Sequence, residues 1–129
     1  MSEAETKTPE IPEVKPPKVP DTPGQIQSKI RHQLIQLQTL FPTLHPTKVQ
    51  FTKKLDDSCG DCGDVVQKGK TYLLIRIQKG LSFTASQDTL FHEYAHAMNW
   101  RKDDEDESAG HGPHWGVCMS EIWEWYDES

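Results

Sequence analysis

Phe91-His92-Glu93-Tyr94-Ala95-His96 is the stretch whose reading decides the rest of this chain. If it is helical, His92 and His96 fall one turn apart on the same edge, and both imidazoles can reach a single divalent cation. Glu93 is rotated by about 100° from His92. Its carboxylate therefore stands beside the pair and can act on a water held there.

The residues on either side fit a helix. Thr84-Ala85-Ser86-Gln87 reads as a capping box, Thr84 at the N-cap and Gln87 at the third helical position, with Asp88 placing negative charge at the positive end of the helix dipole. A helix is expected from about Ala85 to about Arg101. Leu90, Tyr94, Ala97 and Met98 recur at helical spacing and form a stripe nearly opposite the two histidines, so one side of the helix is expected to be buried and the other to face a cleft.

An open catalytic zinc site takes three protein ligands and one free position. Beyond His92 and His96 the candidates are His111, His114, a carboxylate from Asp103 to Glu107, or a cysteine of Cys59-Gly60-Asp61-Cys62. His111 is the choice, because Gly110 and Gly112 let the backbone turn sharply around it and Pro113 suits the first position of a following helix. His114 is then a group that supports the ligands from behind or faces the substrate. His32 and His45 read as ordinary surface residues, and the acidic run as a solvated loop.

Working outward, residues 1–23 hold six of the nine prolines and almost no large apolar side chains, the composition of a disordered tail. The folded unit is expected over 24–129. Thr22-Pro23-Gly24-Gln25 opens a helix in which Ile26, Ile30, Leu34, Leu37 and Phe41 form the buried stripe, and Phe41-Pro42 ends it. Val49 and Phe51, with Leu55 beyond, alternate as in a half-buried strand. Val65-Val66, the Lys68-Gly69-Lys70 turn and Tyr72 to Ile77 form a hairpin, whose apolar last strand belongs inside the sheet or against the histidine helix. Cys59 to Cys62 reads as a turn. Trp115, Met119, Ile122 and Tyr126 mark a closing amphipathic helix, with Trp123 and Trp125 adding aromatic bulk.

Composition narrows the function classes. The 129 residues, 34% hydrophobic, suit one α+β domain with a modest core, expected as a monomer. There is no apolar run of membrane-spanning length and no secretion-like start, and three cysteines are too few to staple a fold. An intracellular location is expected, in the cytoplasm first, with the nucleus left open. The net charge of −6 is uneven: residues 1–23 carry 3 Lys against 5 acids, 24–80 carry 9 Lys and Arg against 4, and 81–129 carry 2 against 11. The basic middle reads as a solvated face first and as a nucleic-acid contact second.

His92-Glu93-Tyr94-Ala95-His96, followed by His111-Gly112-Pro113-His114-Trp115, resembles the SprT-like metallopeptidase domain, the family that includes the Spartan proteases acting on DNA-bound proteins. In that family the histidine before Gly-Pro is the third zinc ligand and an aromatic residue closes the motif, positions matched by His111 and Trp115. The resemblance implies a minimal zincin-like domain: an N-terminal helix, a small three-stranded antiparallel sheet, the metal-binding helix, and a last helix packed behind it. It implies a Zn2+-dependent endopeptidase acting on protein or peptide. Glu93 is then its general base, and among this chain's own residues His114 and Tyr126 are candidates for the donor to the oxyanion or for substrate contact. The zinc ribbon that many members carry is not expected in the 18 residues after His111 (129 minus 111), which with the acidic charge weighs against DNA targeting. Two other readings stand beside it: a noncatalytic metal-stabilised binding module, and a deformylase-like metallohydrolase with Cys62 as a ligand.

Overall fold

The computed structural model describes residues 21–53, 55, 58–100 and 113–128. Residues 1–20, the acidic run Asp103 to Glu107, and His111 lie outside the described residues, and with them most of the tail expected over 1–23 and the expected third ligand.

Helix α1 (Pro23–Leu40) starts where the sequence predicts. The Thr22 hydroxyl accepts from the Gln25 amide at 3.1 Å, and the Thr22 amide donates to Gln25 Oε1 at 2.8 Å, which closes the box in both directions. Ile30, Leu34 and Leu37 are its buried stripe, and Ile26 and Phe41 flank the core at either end.

Three strands follow: β1 (Thr47–Thr52), β2 (Gly60–Gln67) and β3 (Lys70–Gln78). Lys68 and Gly69 join β2 to β3 with φ of 53° and 77°, the left-handed pair of a tight two-residue hairpin turn. The apolar strand β3 lies in the centre, with order β1-β3-β2. β2 pairs with it antiparallel, from Gly60 opposite Ile77 to Gln67 opposite Lys70. β1 pairs with it parallel, from Thr47 opposite Leu73 to Thr52 opposite Gln78. The sheet is therefore mixed, not antiparallel as expected. The chain reaches β2 by passing the C-terminal end of β3, where the Gln78 amide donates to Cys59 O and the Lys79 amide to Thr52 O.

From Gly60 on, the expected turn at Cys59 to Cys62 is likewise the start of β2, although glycine and aspartate are poor strand formers. Pairing along β3 overrides that weak preference. Gly60 also has a steric role, because a Cβ there would come within 2.4 Å of Thr89 Cγ2 and 2.6 Å of the Arg76 carbonyl oxygen. Only a residue without a side chain lets the next helix lie this close to the sheet.

That helix, α2 (Phe83–Met98), is capped by Ser82 and not by Thr84: the Ser82 hydroxyl accepts from the Ala85 amide at 3.1 Å. Gln87, expected to close the cap, is buried instead. The helix stops at Met98, with Asn99 as its C-cap, short of the expected Arg101. It crosses the face of the sheet that carries Leu73, Ile75 and Ile77, all fully buried. Helix α1 packs on one flank, where Tyr94 Oη donates to the Phe41 carbonyl at 2.6 Å. Helix α3 (Pro113–Glu128) packs on the other, its Trp123 and Tyr126 rings 4.9 and 5.6 Å from the ring of Phe91. Among the described residues no helix is long and apolar enough to cross a membrane.

Candidate metal and catalytic centre

Burial of α2 runs almost all the way round. Thr89, Leu90, Phe91, Glu93, Tyr94, Ala95 and Ala97 are all buried, well beyond the single stripe read from the sequence, and Met98 is only partly so. The open edge past the first turn consists of Asp88, His92 and His96, spaced four residues apart. The two imidazoles are thus the part of this helix that the core leaves accessible.

His92 and His96 have ring centroids 5.0 Å apart. The donor chemistry fits a borderline cation such as zinc, with two imidazoles side by side on one helix edge. Among the described residues no group of three His, Cys, Asp or Glu side chains comes together, so a third protein ligand is not found within them.

Glu93 Oε2 lies 4.0 Å from His92 Nε2. The side chains differ sharply in accessibility, His92 being 37% exposed and Glu93 10%. Burial pushes the Glu93 carboxyl up to about 7, and the negative charge of Asp61 on β2 adds to the shift. Asp61 is itself held in place, because Arg76 Nε donates to Asp61 Oδ1 at 2.8 Å and Arg76 Nη2 to Asp61 Oδ2. The carboxylate beside the histidines therefore has a proton affinity close to neutrality, as a group that must both take and release a proton requires.

Trp115, the third residue of α3, closes the opposite side of the pair. Its ring centroid is 5.0 Å from that of His92 and 5.6 Å from that of His96, and its Nε1 donates to the His92 carbonyl at 3.2 Å. The start of the last helix thus reaches the histidine edge of α2, while its later turns pack against Phe91. The sequence marks Trp115 as an aromatic position in a motif and as part of the stripe of an amphipathic helix. Its contact with both imidazoles depends on the crossing of α2 and α3, which no local pattern reports.

The other sequence-derived candidates fall elsewhere. His114 is exposed at the start of α3. The Tyr126 ring lies in an aromatic cluster with Phe91, Trp123 and Trp125. His32 is exposed on α1 and His45 half-buried before β1. Cys62 packs against the core from β2 and does not join the imidazoles in a three-residue group. Its thiol is pushed up to about 12, by burial first and then by the charges of Glu93, Asp61 and Asp64. The repulsion of Glu93 by Asp61 has no local sequence signal beyond the strand that the glycines of β2 disguise.

A model described as the SprT-like family matches residues 27–129, from the first turns of α1 through α3. Nothing matches among curated proteins or among solved structures.

Proposed function

The chain belongs to the SprT-like family, and from that premise we propose that it is a zinc-dependent endopeptidase with Glu93 as general base. The observation that carries this reading is the pair of imidazoles at 5.0 Å on the open edge of α2, next to a buried carboxyl whose proton affinity is raised to about 7. His92, His96 and His111 would hold the ion. When bound, zinc would lower the pKa of a water toward about 7 and polarise the peptide carbonyl.

The chain's own groups do the rest. Glu93 accepts a proton from the attacking water at a carboxylate oxygen and returns it to the amide nitrogen as the C–N bond breaks. Its burial keeps bulk water from competing for that proton. A donor for the tetrahedral oxyanion is also needed. His114 is favoured over Tyr126, since it adjoins Trp115 at the imidazole pair whereas Tyr126 packs on Phe91.

Glu93→Gln is expected to retain zinc and to lose hydrolysis of a protein substrate such as casein by about 10²–10⁴-fold. Cleavage at the parental rate would remove Glu93 from the mechanism. His111→Ala is expected to weaken zinc retention far more than His114→Ala, measured as metal content after dialysis. Equal losses would reassign the third ligand.

The noncatalytic alternative is less well supported, because a purely structural zinc site has no use for a carboxylate held near neutrality beside it. The deformylase-like alternative would need Cys62 to join the imidazoles, and the protonated, core-packed thiol does not favour that. A narrower form of the main reading makes DNA-associated proteins the substrates. A cleavage rate that rises when single-stranded DNA is added would support it, and an unchanged rate would leave general proteolysis.

A further inference from the structure

We infer that Trp115 is a positioning residue for the imidazole pair: by clamping the turn between His92 and His96 it sets the directions in which the two rings face. The inference rests on reading that pair as a metal site. Three observations carry it. First, the indole N–H donates to the carbonyl of His92. In an α-helix this carbonyl is also the acceptor of the residue 96 amide, so the indole is fastened to the one turn that separates the two imidazoles.

Second, the indole ring touches both. It lies 5.0 Å from His92 at an interplanar angle of 60° and 5.6 Å from His96 at 35°, while the imidazoles face each other at 5.0 Å and 67°. Three mutually adjacent rings leave each imidazole little room to rotate into its neighbour. Indole has only an N–H donor and no lone pair to offer a cation. Trp115 therefore acts on the metal through the histidines, as groups packed around metal-binding imidazoles do when they fix ring orientation.

Third, α3 is anchored to α2 a second time, and separately. Its C-terminal half is held by Phe91 against Trp123 at 4.9 Å and Tyr126 at 5.6 Å. The packing of the helix and the orientation of the imidazoles thus rest on different residues, which makes the two roles separable by mutation.

The test compares the full-length parent with W115A, W115F and W123F in a zinc titration against a chromophoric chelator, with thermal melts of each variant in parallel. W115A is expected to weaken zinc binding about 10–100-fold, W115F by about 3–10-fold because it keeps a ring but loses the N–H, and W123F to lower Tm with zinc affinity within about twofold of the parent. The ordering W115A, W115F, parent in zinc affinity, independent of the ordering in Tm, supports the clamp. Zinc affinity of W115A within about twofold of a zinc-binding parent overturns it and leaves the metallopeptidase reading intact. So does a loss in W123F as large as in W115A. A parent that binds no zinc overturns both.

Discussion

Helices α1 and α2 have similar length, each begins at a hydroxyl cap, and both belong to the same core, yet they are stabilised differently. Helix α1 buries three residues on one stripe and carries a complete capping box. Helix α2 buries nine, on nearly every side, and has only the single Ser82 bond at its start. A helix enclosed by a sheet and two other helices takes its stability from packing, and its local start signal matters less. The same enclosure explains the site. Since the core occupies nearly every face of α2, the edge that holds His92 and His96 is the polar part past the first turn left accessible among the described residues, and Glu93 next to it is desolvated by the fold.

The contrast can be broken most directly by truncating a leucine in each helix. Leu90→Ala in α2 is expected to cost about 3–5 kcal/mol and Leu34→Ala in α1 about 2–3 kcal/mol, read from denaturant midpoints, since the enclosed site can relax least around the cavity. Equal costs would mean that α2 is no more enclosed than α1.

Glu93 gives the next largest effect, and it depends on pH. Its folded-state pKa, about 7, lies above the ordinary 4.5, so the fold favours the protonated carboxyl. Its contribution is fully present below pH 4.5 and is lost as pH rises to 7. In zinc-free protein this amounts to up to about 3 kcal/mol across that window. Glu93→Gln should abolish the slope and melt higher than the parent at pH 8. A parent and variant with parallel pH profiles would place Glu93 in water.

The caps give the smallest effect and sharpen the comparison. Thr22→Ala is expected to cost about 1 kcal/mol, and Ser82→Ala about half of that, because α1 leans on its cap and α2 on its neighbours. Thermal melts of the two single variants measure the difference.

Much of this was legible beforehand because the signals are local. The box at Thr22 and Gln25, the Lys68-Gly69 turn, the alternation of Val49 and Phe51, and the place of β3 inside the sheet all follow from periods and turn chemistry within a few residues. The failures share a different origin. Thr84 with Gln87 matches a capping box better than Ser82, whose third helical residue is Ala85, yet Ser82 caps the helix and Gln87 is buried by the rest of the fold. Gly60 to Cys62 has the composition of a turn and becomes strand only because β3 offers a complete edge to pair with. The direction of β1 cannot be read from its own residues, since a strand alternates identically whichever way it runs.

The candidate site divides in the same way. Spacing alone determined that His92 and His96 share one helix edge with Glu93 adjacent, because helical geometry repeats every few residues whatever surrounds it. Only the tertiary structure decided that this edge is the one left open, that Asp61 and burial raise the proton affinity of Glu93, and that Trp115 lies across both imidazoles. Burial, charge and ring contact depend on residues distant in the chain, and their arrangement exists only once the sheet, α2 and α3 are packed together.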